Sequence, residues 1–250
     1  MTINPQYTRA QPGSLPIKIS AYQRRKMFDA FLRDSAIAAS DTVLDIGATS
    51  DRSFDHSNYL EAWYPAKARV TALGIDDASF LTGMYPGLTF VRGDGRALPF
   101  RSLSFDYVHS SAVLEHIGDH RRQQSFLREV WRVARKGIFI TTPNRWFPVE
   151  FHTVLPLVHW LPAPLFRDAL RRLGMEFYAR EENLNLLSRR NLAVLAQQAG
   201  IERFAIRTAS LLGWPTNLLL SAAKHVAASA TGQTIDPREH PLPRCDARSD

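Results

Sequence analysis

Cysteine is all but missing from this chain: its 250 residues contain one, Cys245, set in a polar stretch near the end. A lone thiol excludes a disulfide framework and a thiolate metal cluster, and a reducing compartment is the expectation. Long apolar runs are missing too. None approaches the ~20 residues of a membrane-spanning helix, and the opening Met1-Thr2-Ile3-Asn4-Pro5-Gln6 has neither the basic start nor the apolar core of a secretory signal. A soluble, cytoplasmic protein is expected. Internal repeats and low-complexity tracts are absent as well.

What is present is a chain with 45% hydrophobic residues, enough for one well-buried α/β domain with accessory pieces but not for a second full domain. The net charge of +7 suits nucleic acid, anionic lipid or an acidic substrate. The basic residues are scattered rather than clustered, so a solvated, arginine-rich surface accounts for them better.

The chain is organised around the stretch Asp41-Thr42-Val43-Leu44-Asp45-Ile46-Gly47-Ala48-Thr49-Ser50-Asp51. Val43, Leu44 and Ile46 make the short apolar run of a strand covered on both faces, and Gly47 supplies the backbone freedom of a sharp strand-to-helix turn. In an open α/β sheet, ligands dock beyond the carboxyl ends of such strands. A dinucleotide would need a glycine at Thr49 and no carboxylate at Asp51, which would repel a pyrophosphate, so a nicotinamide or flavin enzyme is disfavoured. Two more acids end β-like runs: Asp76 after Val70 to Ile75, and Asp94 after Thr89 to Gly93.

Along the chain, Pro5, Pro12 and Gly13 suggest a loose arm over residues 1–18. Ser20 and Gln23 have the spacing of a capping box, opening a helix whose apolar face carries Met27, Phe28, Phe31 and Leu32. Short helices are expected at Tyr59 to Trp63 and Phe80 to Met84, strands at Val70 to Ile75, Leu88 to Val91, Ser104 to Ser111 and Ile138 to Thr141, and a helix from Gln123 to Ala134 stopped by Gly137. Ser188 caps a helix with Leu192, Leu195, Ala196 and Ala199 buried. The strand-like runs Ile201 to Ala209 and Asn217 to Ala223 follow, and the polar segment 225–250 is expected to be disordered.

Asp45-Ile46-Gly47, Asp76, Asp94-Gly95 and Val113-Leu114-Glu115-His116-Ile117, in that order, resemble the class I S-adenosylmethionine-dependent methyltransferases, in particular the small-molecule group with a Leu-Glu-His element after the fourth strand. The resemblance covers residues 19–224 and departs from the family's usual second and third glycines at Thr49 and Asp51. It implies a Rossmann-like, doubly wound α/β fold with a seven-stranded, mostly parallel sheet ending in an antiparallel strand. The implied cofactor is S-adenosylmethionine, held by Asp45, Gly47 and Ala48 at the turn, Asp76 and Asp77 at the ribose, Asp94 and Gly95 at the adenine, and Ser110 and Ser111 beside the methyl. Asp77 also reads as a helix cap, and Asp94-Gly95 as a turn pair. Arg24 and Arg25 come within reach of the cofactor carboxylate or are simply solvated.

Residues 142–187, rich in Pro, Trp, Phe and His, form a cap between the fifth and sixth strands. Glu150 with His152, and His116 of the Leu-Glu-His element, are the candidates for a general base, with Trp146 and Phe151 excluding water; each also suits plain packing. Glu150, His152 and His159 lack the short spacing typical of a metal site, so no metal is expected. The expected partner is a small, partly apolar acceptor methylated on oxygen, nitrogen or carbon. Peripheral membrane contact stays open, and the oligomeric state is not encoded in any visible pattern. Two other readings stand beside this one: a non-catalytic binding protein of the same fold, motivated by the altered glycine turn, and a nucleic-acid methyltransferase, motivated by charge but lacking an Asn/Asp-Pro-Pro-aromatic motif.

Overall fold

The computed structural model describes residues 15–52, 54 and 56–224. Seven strands form one sheet: β1 (Val43–Ile46), β2 (Val70–Gly74), β3 (Thr89–Arg92), β4 (Phe105–Ser111), β5 (Ala134–Pro143), β6 (Ala205–Leu211) and β7 (Trp214–Ala223). Their order is β3-β2-β1-β4-β5-β7-β6; β7 pairs antiparallel with both β5 and β6, and the other pairs are parallel. The order reverses at β1 and β4, and a crevice for a ligand opens at such a switch point.

Side chains on a strand alternate between faces, and β1 shows the consequence. Val43 packs with α1 (Leu15–Ser35), α2 (Tyr59–Trp63) and α3 (Phe80–Met84), in a core that includes Phe28, Phe31, Leu60, Leu81 and Phe139. Leu44 and Ile46 point the other way, to α4 (His120–Val133) and α7 (Arg189–Gln198), among Phe126, Leu127, Val130, Leu192 and Leu195. Each large side chain fully removed from water contributes about 1.5–3 kcal/mol, so these two layers hold the sheet's carboxyl edge in place. Between β5 and α7 the cap carries α5 (Ala163–Arg172), α6 (Glu176–Ala179) and a small core of its own, Phe166, Leu170, Ala179, Leu184 and Leu186.

Several expectations need correction. The first helix starts at Leu15, so residues 15–18 are helical rather than part of an arm, and Ser20 lies inside the helix. No capping box forms: Gln23 instead donates to the Ser210 carbonyl and accepts from Thr216 Oγ1, tying α1 to the β6–β7 hairpin. α4 begins at His120, capped by Asp119 accepting from the Arg122 amide, and runs straight into β5 at Ala134. Gly137 is therefore no helix stop. It sits within β5, where a Cβ would come within 2.7 Å of the Ala222 carbonyl and 3.2 Å of the Tyr107 ring. β6 and β7 are joined by Leu212 and Gly213 alone, both at positive φ (50° and 83°), as a tight two-residue hairpin turn requires. The expected arm up to residue 14 and the tail 225–250 lie outside the described residues. Among the described residues no helix is long and apolar enough to cross a membrane.

Candidate active site

Gly47 follows β1 at φ +112°, and a Cβ there would lie 2.2 Å from Val113 Cγ2 in the loop after β4. Only glycine satisfies both constraints. The Gly47 and Ala48 amides both donate to the Leu73 carbonyl of β2, so they close the turn rather than face a ligand. Asn58 then clasps the loop from both sides, accepting from the Thr49 amide at 2.8 Å and donating to its carbonyl at 3.0 Å. Thr49 Oγ1 accepts from the Asp51 amide, and Asp51 Oδ2 accepts from Ser57. The two side chains that replace the family's glycines are thus folded into the loop's own hydrogen bonds. Arg24 donates to the His56 carbonyl in the same loop, and burial lowers its pKa while Tyr59 and Asp51 oppose that shift. Arg25 pairs with Asp29 along α1.

Asp76 and Asp94 each lie two residues past the paired Gly74 and Arg92, on adjacent strands that Gly93 and Gly74 keep bonded. They follow adjacent strand ends on one rim of the sheet, with Ile75 beside Asp76 62% exposed. Asp77 is exposed and accepts from the Ser79 amide in the turn before α3, whose N-cap is Ser79 rather than Asp77. Asp94 is gripped by Arg96, whose Nε reaches both carboxylate oxygens and whose Nη2 reaches Oδ2 at 2.6 Å, and that pairing lowers its pKa. Gly95 makes its close approach to the core: a Cβ would meet the Phe126 ring at 2.7 Å and Ile46 at 3.1 Å. Ser110 is fully buried with its hydroxyl spent on the Ile46 carbonyl, whereas Ser111 bonds Thr141 at the half-buried edge of the site.

Asp45 departs furthest from expectation. Strand alternation turns it beneath the turn, onto the α1 face, where its Oδ1 meets His109 Nδ1 at 2.5 Å. His109 Nε2 in turn meets the Tyr59 hydroxyl at 2.9 Å. Burial raises Asp45 to about 7 and lowers His109 to about 4. Glu61 completes the layer with no solvent exposure and no hydrogen-bond partner for either carboxylate oxygen. Burial first, and the neighbouring Asp45 second, push its pKa well up.

The other candidates do converge. His152 Nδ1 contacts Glu150 Oε1 at 2.7 Å, and the His152 and Thr153 amides also donate to that carboxylate. Burial alone would raise Glu150, but these bonds hold it at about 2, and its charge lifts His152 although burial opposes this. His116 Nδ1 donates to the Asn183 carbonyl at 2.6 Å, which leaves its Nε2 aimed at His152 Nε2, 3.0 Å away. Burial, then the His152 charge, lowers His116 to about 4. Behind the pair lies Glu115, fully buried, with Oε2 accepting from Thr142, Oε1 unpartnered and a pKa raised by burial to about 7. His159 does not join them; its Nε2 donates to the Phe147 carbonyl inside the cap. Trp146 and Phe151, expected to exclude water, are 50% and 36% exposed. Sequence reading missed Asn58, Glu61, His109 and Asn183, because nothing local marks a side chain or carbonyl whose partner is distant in the chain.

Residues 44–141 match a family model described as a methyltransferase domain. The fold is that of a class I methyltransferase. A protein of Encephalitozoon cuniculi, assigned by inference as a methyltransferase, is 33% identical over 122 residues, covering 48% of this chain and 53% of that protein. The chain thus spans about half the length of the curated relative it matches. Among solved structures, the PH0226 protein of Pyrococcus horikoshii superposes with a TM-score of 0.55 at 16% identity, over 89% of this chain and 97% of that one. A Galdieria sulphuraria protein, assigned as a sarcosine dimethylglycine methyltransferase, does so at 0.52 and 15%, over 76% and 66%. At those identities the structures speak for the methyltransferase fold alone.

The methyltransferase domain implies S-adenosylmethionine as its cofactor, and the residues present fit it. The rim offers carboxylates for a diol and a cation and exposed apolar Ile75 for a ring, and the Gly47 and Ala48 amides that a phosphate would need are bonded to the Leu73 carbonyl.

Proposed function

We propose that this protein transfers the methyl group of S-adenosylmethionine to an oxygen, nitrogen or carbon of a small, partly apolar acceptor. The convergence of Glu115, His116, Glu150 and His152 next to the end of β4 carries the reading. These four come from two separate segments, and a merely structural cap would have no need to bring them together at a site that is still 11–13% open to solvent at the two imidazoles.

S-adenosylmethionine supplies, when bound, a methyl group on a sulfonium ready for in-line displacement. Asp76 would accept from the ribose hydroxyls, Asp94 would serve the adenine amino group while sharing its charge with Arg96, and Arg24, beside the loop after β1, would be the guanidinium for the carboxylate end. Glu150 and the Asn183 carbonyl fix the orientation of His152 and His116, so that the acceptor's polar atom would be held at a preset place beside the hydrogen-bonded imidazole pair. Exposed Trp146, Phe151 and Trp160 support an acceptor with an apolar part.

Calorimetry with S-adenosylmethionine and with its demethylated product tests this. Binding weakened about 10- to 100-fold by Asp76→Ala, the loss of charge-assisted hydrogen bonds, supports the reading. No heat from either compound at millimolar concentration removes it.

A further inference from the structure

Glu115, His116 and His152 present one oxygen and two nitrogens within 4.8 Å of one another. From this geometry we infer that the three form a binding site for a divalent transition-metal ion. Each ligand is prepared differently. The Asn183 carbonyl holds His116 by Nδ1, and the Glu150 carboxylate holds His152 by Nδ1, so the two Nε2 atoms face each other at 3.0 Å, where an ion would displace the proton they share. Histidines that bind metal are oriented in this way, through a carboxylate or backbone carbonyl on the ring nitrogen away from the ion. Glu150 is itself fixed by the His152 and Thr153 amides, so the support is rigid.

The third ligand has a vacancy in its hydrogen bonding. Glu115 is fully buried, its Oε2 accepts from Thr142, and its Oε1 has no partner. A buried carboxylate oxygen without a partner is costly. Coordination satisfies it. Glu115 Oε1 lies 4.0 Å from His116 Nε2, within the range of separations that two ligands of one ion can have.

The separation of the two nitrogens argues for the type of ion. With metal–nitrogen bonds of about 2.1 Å, atoms 3.0 Å apart subtend about 90° at the ion. That is the cis angle of an octahedral centre, and two imidazoles with one carboxylate suit manganese, iron, cobalt or nickel in the divalent state. The imidazoles keep 13% and 11% of their surface exposed, which would leave room for an oxygen of the acceptor to complete the shell. An ion there would polarise an acceptor hydroxyl beside the methyl group; this role rests on the proposed activity, whereas the binding itself does not.

The test is calorimetric titration of the chelator-stripped chain with Mn²⁺ and with Co²⁺, joined to anomalous scattering from crystals soaked in Co²⁺. One ion per chain is expected, with the anomalous peak between His116 and His152. His152→Ala and His116→Ala should lower affinity at least about 100-fold, and Glu150→Gln, which removes only the support, about 10- to 100-fold. No heat at millimolar metal, a peak elsewhere, or folded variants that bind as the parent does would overturn the site. Should the variants fail to fold, the peak in the parent crystal decides alone. Loss of cofactor binding with the metal retained would count against the methyl-transfer reading and not against this one.

Discussion

Asp45 of β1 and His109 of β4 are register partners on adjacent parallel strands, and their side chains meet at 2.5 Å on the face covered by α1. The contact places a carboxyl and an imidazole under the glycine turn, in a layer where Phe31 and Phe139 flank the ring and Glu61 brings a second buried carboxyl.

That layer makes stability depend on pH. Glu61 and Asp45 have folded-state values raised above their ordinary ones, so the folded state keeps protons the unfolded chain loses above about pH 4–5. Their contribution is present in acid and is lost as pH rises. His109, lowered to about 4, works in the opposite sense: its contribution is present above the ordinary histidine value and is lost as pH falls toward 4. Between these limits Asp45 and His109 offset one another, leaving Glu61. The parent's unfolding free energy from urea titration should therefore fall as pH rises above about 5, and Glu61→Gln should flatten that fall. Equal slopes in the two proteins would count against a protonated Glu61.

Gly47→Ala should cost about 2–5 kcal/mol, from a strained backbone and the collision with Val113. Gly83→Ala in α3 is the control, with open space around its Cβ, and should be neutral or stabilising by up to about 1 kcal/mol. Denaturant unfolding compares them; similar losses would mean the turn is not as drawn.

Arg96→Ala should scarcely change stability, because the pair with Asp94 is exposed. It should tighten S-adenosylmethionine binding a few-fold by releasing the Asp94 carboxylate. Unchanged binding in calorimetry would count against Asp94 as a cofactor contact.

Leu212 stands at φ +50°, fully exposed, at the first position of the β6–β7 turn. Leu212→Asn, creating the Asn-Gly pair such turns prefer, should stabilise by about 0.5–1 kcal/mol and raise the melting temperature by about 1–3 °C. A lower melting temperature would show that the leucine packs against something at that tip.

Strand and helix order was legible because it rests on local periodicity. The runs Val43–Ile46 and Val70–Gly74 and the Ser188 cap of α7 occupy the places their residues indicated. Boundaries slipped where a distant partner outweighed a local signal: Gln23 bonds a hairpin some 187 residues away instead of capping its helix, and Gly137 makes room for β7 instead of ending α4.

In the candidate site, the residue types at the sheet edge follow from the sequence, since an acid after an apolar run marks the end of a buried strand. Which way each side chain faces does not. One residue of difference along β1 sends Asp45 into a buried layer with His109, and only the crossing of the cap over the β4 loop brings His152 within 3.0 Å of His116. Side-chain direction and long-range contact are set by register and packing across the sheet, and those exist only once the chain has folded.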